Sequence, residues 1–129
     1  MKTIKVVAAI ILKDNKIFAT QRGYGDFKDG WEFPGGKVEQ GESPECALIR
    51  EIKEELDTTI TDLKFFDNVQ YDYPNFHLDM DCFLCKIESG SLELKEHEAS
   101  RWLTADDLDT VAWLPADLNT VAKLKTHLK

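Results

Sequence analysis

At 129 residues the chain fits one domain, 1-129, and leaves no room for a second. Its net charge of −8 argues against a surface built to track a nucleic-acid backbone, which needs clustered Lys and Arg. The longest apolar run, Val6 to Leu12, is far too short to span a bilayer, and Met1 to Lys5 opens no signal-peptide apolar region, so a cytoplasmic protein is expected.

The first segment, Ile4 to Leu12, is rich in Val and Ile and reads as a buried strand. Asp14-Asn15 supplies a turn, and Lys16 to Arg22 a second strand that closes a hairpin. Gly23 to Gly30 holds three glycines and reads as a surface loop. Trp31-Glu32-Phe33 then gives a short extended piece that Pro34-Gly35-Gly36 should stop.

Ser43-Pro44-Glu45 combines a hydroxyl cap, proline at the first helical position and a carboxylate near the positive end of the dipole, so a helix is predicted to about Leu56. Leu48, Ile52 and Leu56 form its apolar stripe, and Glu51, Glu54 and Glu55 lie off that stripe. Phe65 to Tyr73 and His77 to Ile87 read as strands joined around Pro74-Asn75, and Ser100 to Leu103 as another short strand. Thr104 to Asp107 resembles a capping box opening a short helix, and Leu118, Val121, Leu124 and Leu128 mark an amphipathic terminal helix. The order of elements predicts an α/β fold with a mixed sheet between helices.

The three cysteines make an odd set that argues against a disulfide framework. Cys82 and Cys85 form a C-x-x-C, but an odd offset in a strand puts them on opposite faces, and zinc would need a second ligand pair. They are expected to be ordinary reduced thiols.

On a helix, residues three and four apart lie on neighbouring ridges, so Glu51, Glu54 and Glu55 can share roughly one face. Like charges so placed repel, and a hard cation such as Mg²⁺ or Mn²⁺ would turn that liability into a site. A solvated glutamate-rich helical face is the bland alternative. Against it stand Gly36 and Glu42 at fixed offsets upstream, with Arg50 in place: glycine, five residues, Glu42, seven residues, then Arg50-Glu51-Ile52-Lys53-Glu54-Glu55. This resembles the Nudix box. It departs from the pattern where Asp57 replaces glycine and Thr58 an aliphatic residue. Aspartate can take the left-handed conformation that ends a helix, so termination should survive.

The resemblance covers nearly the whole chain and is nearest to the MutT-like group of nucleoside triphosphate pyrophosphohydrolases, including the CTP pyrophosphohydrolase type. Gln21-Arg22, Trp31 to Lys37, Glu96 six residues before Trp102, and Leu114-Pro115-Ala116-Asp117 support it. It implies the Nudix fold, an α/β/α sandwich, and metal-dependent hydrolysis of (deoxy)nucleoside triphosphates to the monophosphate and pyrophosphate, on CTP, dCTP or modified nucleotides. Within the family, another nucleoside diphosphate-linked substrate is the rival, and a non-catalytic binding module is the rival outside enzymes.

The resemblance also implies residue roles. Gly35 (through its carbonyl), Glu51, Glu54, Glu55 and Glu96 become the metal candidates, with Mg²⁺ expected and Mn²⁺ an alternative. Glu54 and Glu96 become catalytic candidates, and Arg50 with Glu42 braces the glutamates. Glu98 competes with Glu96, and His97 could do acid-base work. Arg22 and Lys37 could offset triphosphate charge, and Glu32 belongs to the substrate-binding set. Asp117 is expected to read the base by accepting from an exocyclic amino group, with Asn119 as rival. Phe76 and Tyr24 could stack on a base, although packing is the blander role. The expected partner is a nucleoside triphosphate, with no nucleic acid polymer and no membrane, and the expected state is a monomer or weak homodimer.

Overall fold

A computed structural model describes residues 1–23, 25, 27–95 and 97–128. Strand β1 (Lys2–Lys13) is the hub, because its second half is apolar on both sides. It runs parallel to β6 (Phe76–Gly90), in register from Lys2 opposite Phe76 to Ile11 opposite Cys85. On its other edge it pairs antiparallel with β2 (Lys16–Arg22) near its end and with β4 (Gly35–Lys37) near its middle. Strand β5 (Thr58–Asp72) pairs antiparallel with β6, while β3 (Trp31–Glu32) and β7 (His97–Leu103) both pair with β2. The sheet is therefore mixed, as expected.

Successive side chains on β1 point to opposite faces, and two cores result. Val7, Ala9 and Ile11 pack with Ala47, Leu48, Ile52 and Leu56 of α1 (Pro44–Leu56). Ala8 and Ile10 pack with Val121 and Leu124 of α2 (Leu118–His127). One helix thus covers each face, completing the sandwich. Cys82 belongs to the α2 side and Cys85 to the α1 side, so the odd offset does separate them. Both thiols are buried, and burial pushes each up to about 12. No helix among the described residues is long and apolar enough to cross a membrane.

Local chemistry sets the element ends. Asp14 and Asn15 both have positive φ, 53° and 63°, which suits the right-handed twist of a tight hairpin. Ser43 Oγ accepts from the Cys46 N–H at 3.2 Å, as the N-cap reading requires. Asp57 takes the left-handed conformation, φ 50° and ψ 42°, and its N–H donates to the Lys53 carbonyl at 3.1 Å. Aspartate therefore replaces the C-terminal glycine of the motif without lengthening the helix.

Several boundaries differ from the sequence reading. Pro34-Gly35-Gly36 does not end pairing: the Ala9 N–H donates to the Pro34 carbonyl at 2.8 Å, and the glycines continue as β4. A Cβ at Gly35 would fall 1.9 Å from the Val7 carbonyl oxygen, so glycine here permits close strand approach rather than a turn. Strand β5 starts directly at Thr58 because the Asp57 cap reverses the chain, and polar Thr59 to Lys64 hid it. Strand β7 starts at His97 rather than Ser100, across a register shift at Gln21/Arg22. The short helix expected after Thr104 is present as a 3-10 helix, Ala105–Thr110, in which the Thr104 N–H donates to Asp107 Oδ2 at 3.4 Å.

Candidate active site

Arg50 organises the acidic end of α1. Its Nε and Nη2 grip Glu42 at 2.7 and 2.9 Å, Nη1 reaches Glu51 at 2.9 Å and Glu54 at 3.2 Å, and Nη2 also donates to the Lys37 carbonyl at 3.1 Å. One guanidinium thereby ties α1 to β4 and to the Glu39–Glu42 turn, where Glu42 also accepts from the Glu39 N–H at 3.0 Å. The Arg50 fork, helped by that N–H, holds the Glu42 carboxyl down at about 2. The same contacts push the Arg50 guanidinium further up. Glu51 moves the other way, because its burial outweighs Arg50 and raises it.

The spacing of the motif acquires a steric reason here. A Cβ at Gly36 would fall 2.2 Å from Glu51 Oε2, so the glycine leaves the space into which that carboxylate packs. Gly35, Gly36, Lys37 and Glu55 line a cleft of about 520 Å³, a volume typical of small-molecule sites. Glu54 does not line it; its carboxylate, 59% exposed, turns to Arg50. Glu51 and Glu54 meet at Arg50 Nη1 while Glu55 lines the cleft, and among the described residues no group of three His, Cys, Asp or Glu side chains is arranged to hold a metal ion.

The cleft floor is the α2-facing side of the sheet: Ile4, Val6 and Ala8 of β1 with Leu78 and Met80 of β6. At the far end Phe76 stacks on Tyr73, centroids 5.1 Å apart and planes at 26°, and Phe27 leans on Tyr73 at 5.3 Å. Phe76 opposes Lys2 on β1 and Gly36 opposes Val7. The two ends are thus about 16 Å apart along the strand at ~3.3 Å per residue.

Arg22, Glu32 and Asp117 line this same cleft. Arg22 forks onto Glu32 through Nη2 at 2.7 Å and Nε at 3.2 Å. Burial works against the Arg22 charge, but Glu32, with Tyr73 and Asp117 beyond it, raises it overall. Asp117 is 4% exposed. Burial first, and the nearby Glu32 charge second, hold its carboxyl well above the ordinary range, with Arg22 opposing. Tyr73, its hydroxyl bonded to the Ala116 backbone, is raised by burial and by Asp117.

The geometry separates several rivals. Asn119 is exposed and lines a different depression with Asp67, Gln70 and Lys123, whereas Asp117 lines the cleft. His97 lines the cleft; Glu98 does not, and its carboxylate lies 4.0 Å from Lys28. Glu96 and Tyr24 lie outside the described residues. Arg22, expected at phosphate, lines the cleft with Glu32, Tyr73 and Asp117 as its electrostatic neighbours. Sequence reasoning missed Tyr73, although Tyr71 and Tyr73 alternate on β5 and its continuation, a period-2 pattern that marks a shared face.

The NUDIX domain model matches residues 2–124. The chain is 33% identical over 127 residues to an 8-oxo-dGTP diphosphatase of Escherichia coli K12, covering 97% of this chain and 98% of that one. It is 36% identical over 119 residues to the CTP pyrophosphohydrolase of the same strain, covering 92% and 88%. Among solved structures, one from a study of MutT of Aliivibrio salmonicida and Vibrio cholerae superposes with a TM-score of 0.81 at 32% identity, covering 98% of this chain and 99% of that one. Relatives named for different bases are thus similar to nearly the same degree.

Proposed function

The chain belongs to the Nudix family of pyrophosphohydrolases, and from that premise we propose that it cuts (deoxy)nucleoside triphosphates to the monophosphate and pyrophosphate with a divalent cation, preferring cytosine-type or modified bases. The observation that carries this reading is the two-ended cleft. Acidic and glycine groups of α1 and β4 stand at one end, an aromatic stack stands about 16 Å away along the strand, and the buried carboxyl of Asp117 lines the same cleft, a span that suits a nucleotide.

The donor chemistry fits Mg²⁺ or Mn²⁺. Glu55 and Gly35 line the cleft and Glu51 packs against the neighbouring Gly36, so Glu51 and Glu55 offer hard oxygens with the Gly35 carbonyl as the backbone candidate. Magnesium ordinarily takes one or two carboxylates and completes its shell with waters and phosphates, so a three-residue protein cage is not required. When bound, such a cation polarises the phosphoryl group and lowers the pKa of water.

The remaining roles fall to the chain itself. Arg50, locked to Glu42, orients Glu51 and Glu54. Glu54 and Glu96 are the proposed proton acceptors for the attacking water. Lys37, exposed at the cleft edge, offsets phosphate charge. The apolar floor and the Tyr73–Phe76 stack exclude water around the base. Asp117 and Glu32 read its polar edge, where a carboxyl accepts from an exocyclic amino group.

The test is turnover of CTP, 5-methyl-dCTP, dCTP and 8-oxo-dGTP with Mg²⁺, with products resolved by ion exchange. Monophosphate plus pyrophosphate from at least one, lost in Glu55→Gln, is expected. Release of orthophosphate, or parental turnover by a folded Glu55→Gln protein, would overturn the reading.

A further inference from the structure

Asp117 does not sit in the cleft by its own contacts alone. It immediately precedes α2, and its side chain makes no capping bond to that helix. What fixes the helix start lies behind it. Thr120, fully buried in the first turn, donates from Oγ1 to Asp67 Oδ2 at 2.8 Å. Lys123, one turn further, donates from Nζ to Asp67 Oδ1 at 2.5 Å. Asp67 is itself buried, at a register shift where β5 meets Cys82 of β6.

Cys82 closes the connection. Its thiol lies beside Thr120 and close enough to both Asp117 and Asp67 to feel their charges. Hydrogen bonds therefore link exposed Lys123 through Asp67 to Thr120, and Cys82 lies between that link and Asp117. Burying a carboxylate on an apolar sheet face costs stability even when it is paired, and such pairs can serve to fix one register. Here the register fixed is that of α2 on β5, which sets where Asp117 points.

We propose that Thr120 and Asp67 are positioning residues for base recognition, clamping the first turn of α2 so that the Asp117 carboxyl meets the base. This rests on the reading of Asp117 as the base-contacting residue, and the experiment has one arm that needs no substrate. The groups facing Asp117 are Glu32, Arg22, Tyr73 and Cys82; the variants replace none of them, and of the four Cys82 adjoins the substituted Thr120.

The carboxyl of Asp117 is titrated by carbon-13 NMR in the parent, Thr120→Val, Thr120→Ser and Lys123→Met. Thr120→Val, which keeps shape and loses the hydroxyl, admits water to Asp117 and lowers its midpoint toward the ordinary aspartate value. Thr120→Ser restores the parent midpoint, and Lys123→Met, at an exposed position, gives a smaller shift of the same sign. On whichever of CTP, 5-methyl-dCTP, dCTP and 8-oxo-dGTP the parent turns over fastest, Thr120→Val raises KM about threefold to tenfold, the equivalent of one net hydrogen bond, with kcat within about twofold.

An unchanged midpoint in both Thr120→Val and Lys123→Met overturns the proposal, as does a loss confined to kcat. If Thr120→Val does not fold, Lys123→Met decides alone: a lowered Asp117 midpoint supports the proposal and an unchanged one overturns it. Failure of every triphosphate to turn over would instead sink the proposed function and leave the titration to judge the clamp.

Discussion

The carboxylate of Glu51 rests against the α-carbon of Gly36, where a Cβ would lie 2.2 Å from Oε2 and 2.3 Å from the carboxyl carbon. The obstacle such a Cβ meets is the end of a flexible side chain, so the fold can yield while the site cannot. Gly36→Ala is therefore expected to unfold within about 1 kcal/mol of the parent, yet to lose about a hundredfold in kcat through misplacement of Glu51. Gly35→Ala meets the Val7 backbone at 1.9 Å instead and should lose stability, by about 2 kcal/mol or more. Paired urea titrations and steady-state assays separate the two. Equal stability losses would show that Gly36 is only a packing position.

That contrast shows what was legible in the sequence. The helix stripe, its caps, the hairpin and the glycine–glutamate–arginine spacing were all local patterns, and the Asp57 cap was readable because aspartate tolerates the left-handed region. Strand β4 was not, since Pro-Gly-Gly signals a stop unless the partner strand is known to need close approach. The Arg22–Glu32 pair was not legible either, because the two residues are ten apart and become neighbours only through the β2–β3 pairing. The Asp67–Thr120 contact joins residues 53 apart, beyond the reach of any periodicity.

Acid should release the brace around Arg50. Glu42 is depressed from its ordinary 4.5 to about 2, so its contribution to stability is fully present above about pH 4.5 and is lost as pH falls through about 2. The native state resists protonating this group, whereas the unfolded chain accepts the proton. Glu42→Gln removes that segment of the curve. Melting temperatures measured from pH 5 to 2 should converge between parent and variant at the acid end; a constant offset at every pH would contradict the linkage.

Asp117 has the opposite sign. Burial and Glu32 hold its carboxyl well above the ordinary 3.8, so the unfolded chain gives up this proton more readily than the native one. Stability attributable to Asp117 is complete below pH 3.8 and is lost as pH rises through the elevated native value. Asp117→Asn, neutral throughout, should therefore gain on the parent as pH rises. It should also shift the ratio of CTP to UTP turnover, because an amide offers a donor and an acceptor where a carboxyl sits. Parallel stability profiles for the two proteins across neutral pH would show that the buried carboxyl is ionised at no cost.

Removal of divalent cations tests the acidic end most directly. A protein treated with EDTA and desalted should lose at least about a thousandfold in triphosphate turnover and regain it with Mg²⁺ or Mn²⁺, because the cation supplies both phosphoryl polarisation and an acidified water. Arg50 refines the expectation. It holds Glu51 at 2.9 Å and Glu54 at 3.2 Å from one nitrogen while gripping Glu42 through the other two, a fork that lysine cannot reproduce. Arg50→Lys should keep the charge but release the orientation of Glu51, raising the Mg²⁺ concentration for half activity by about tenfold to a hundredfold, the range seen when a partner behind a metal ligand is removed. Glu51→Gln should raise it further, since it removes the proposed ligand rather than its support. Full turnover by the EDTA-treated parent would remove the cation from the reaction. An unchanged Mg²⁺ requirement in Arg50→Lys, together with a loss confined to kcat, would place Arg50 at the substrate instead of behind Glu51.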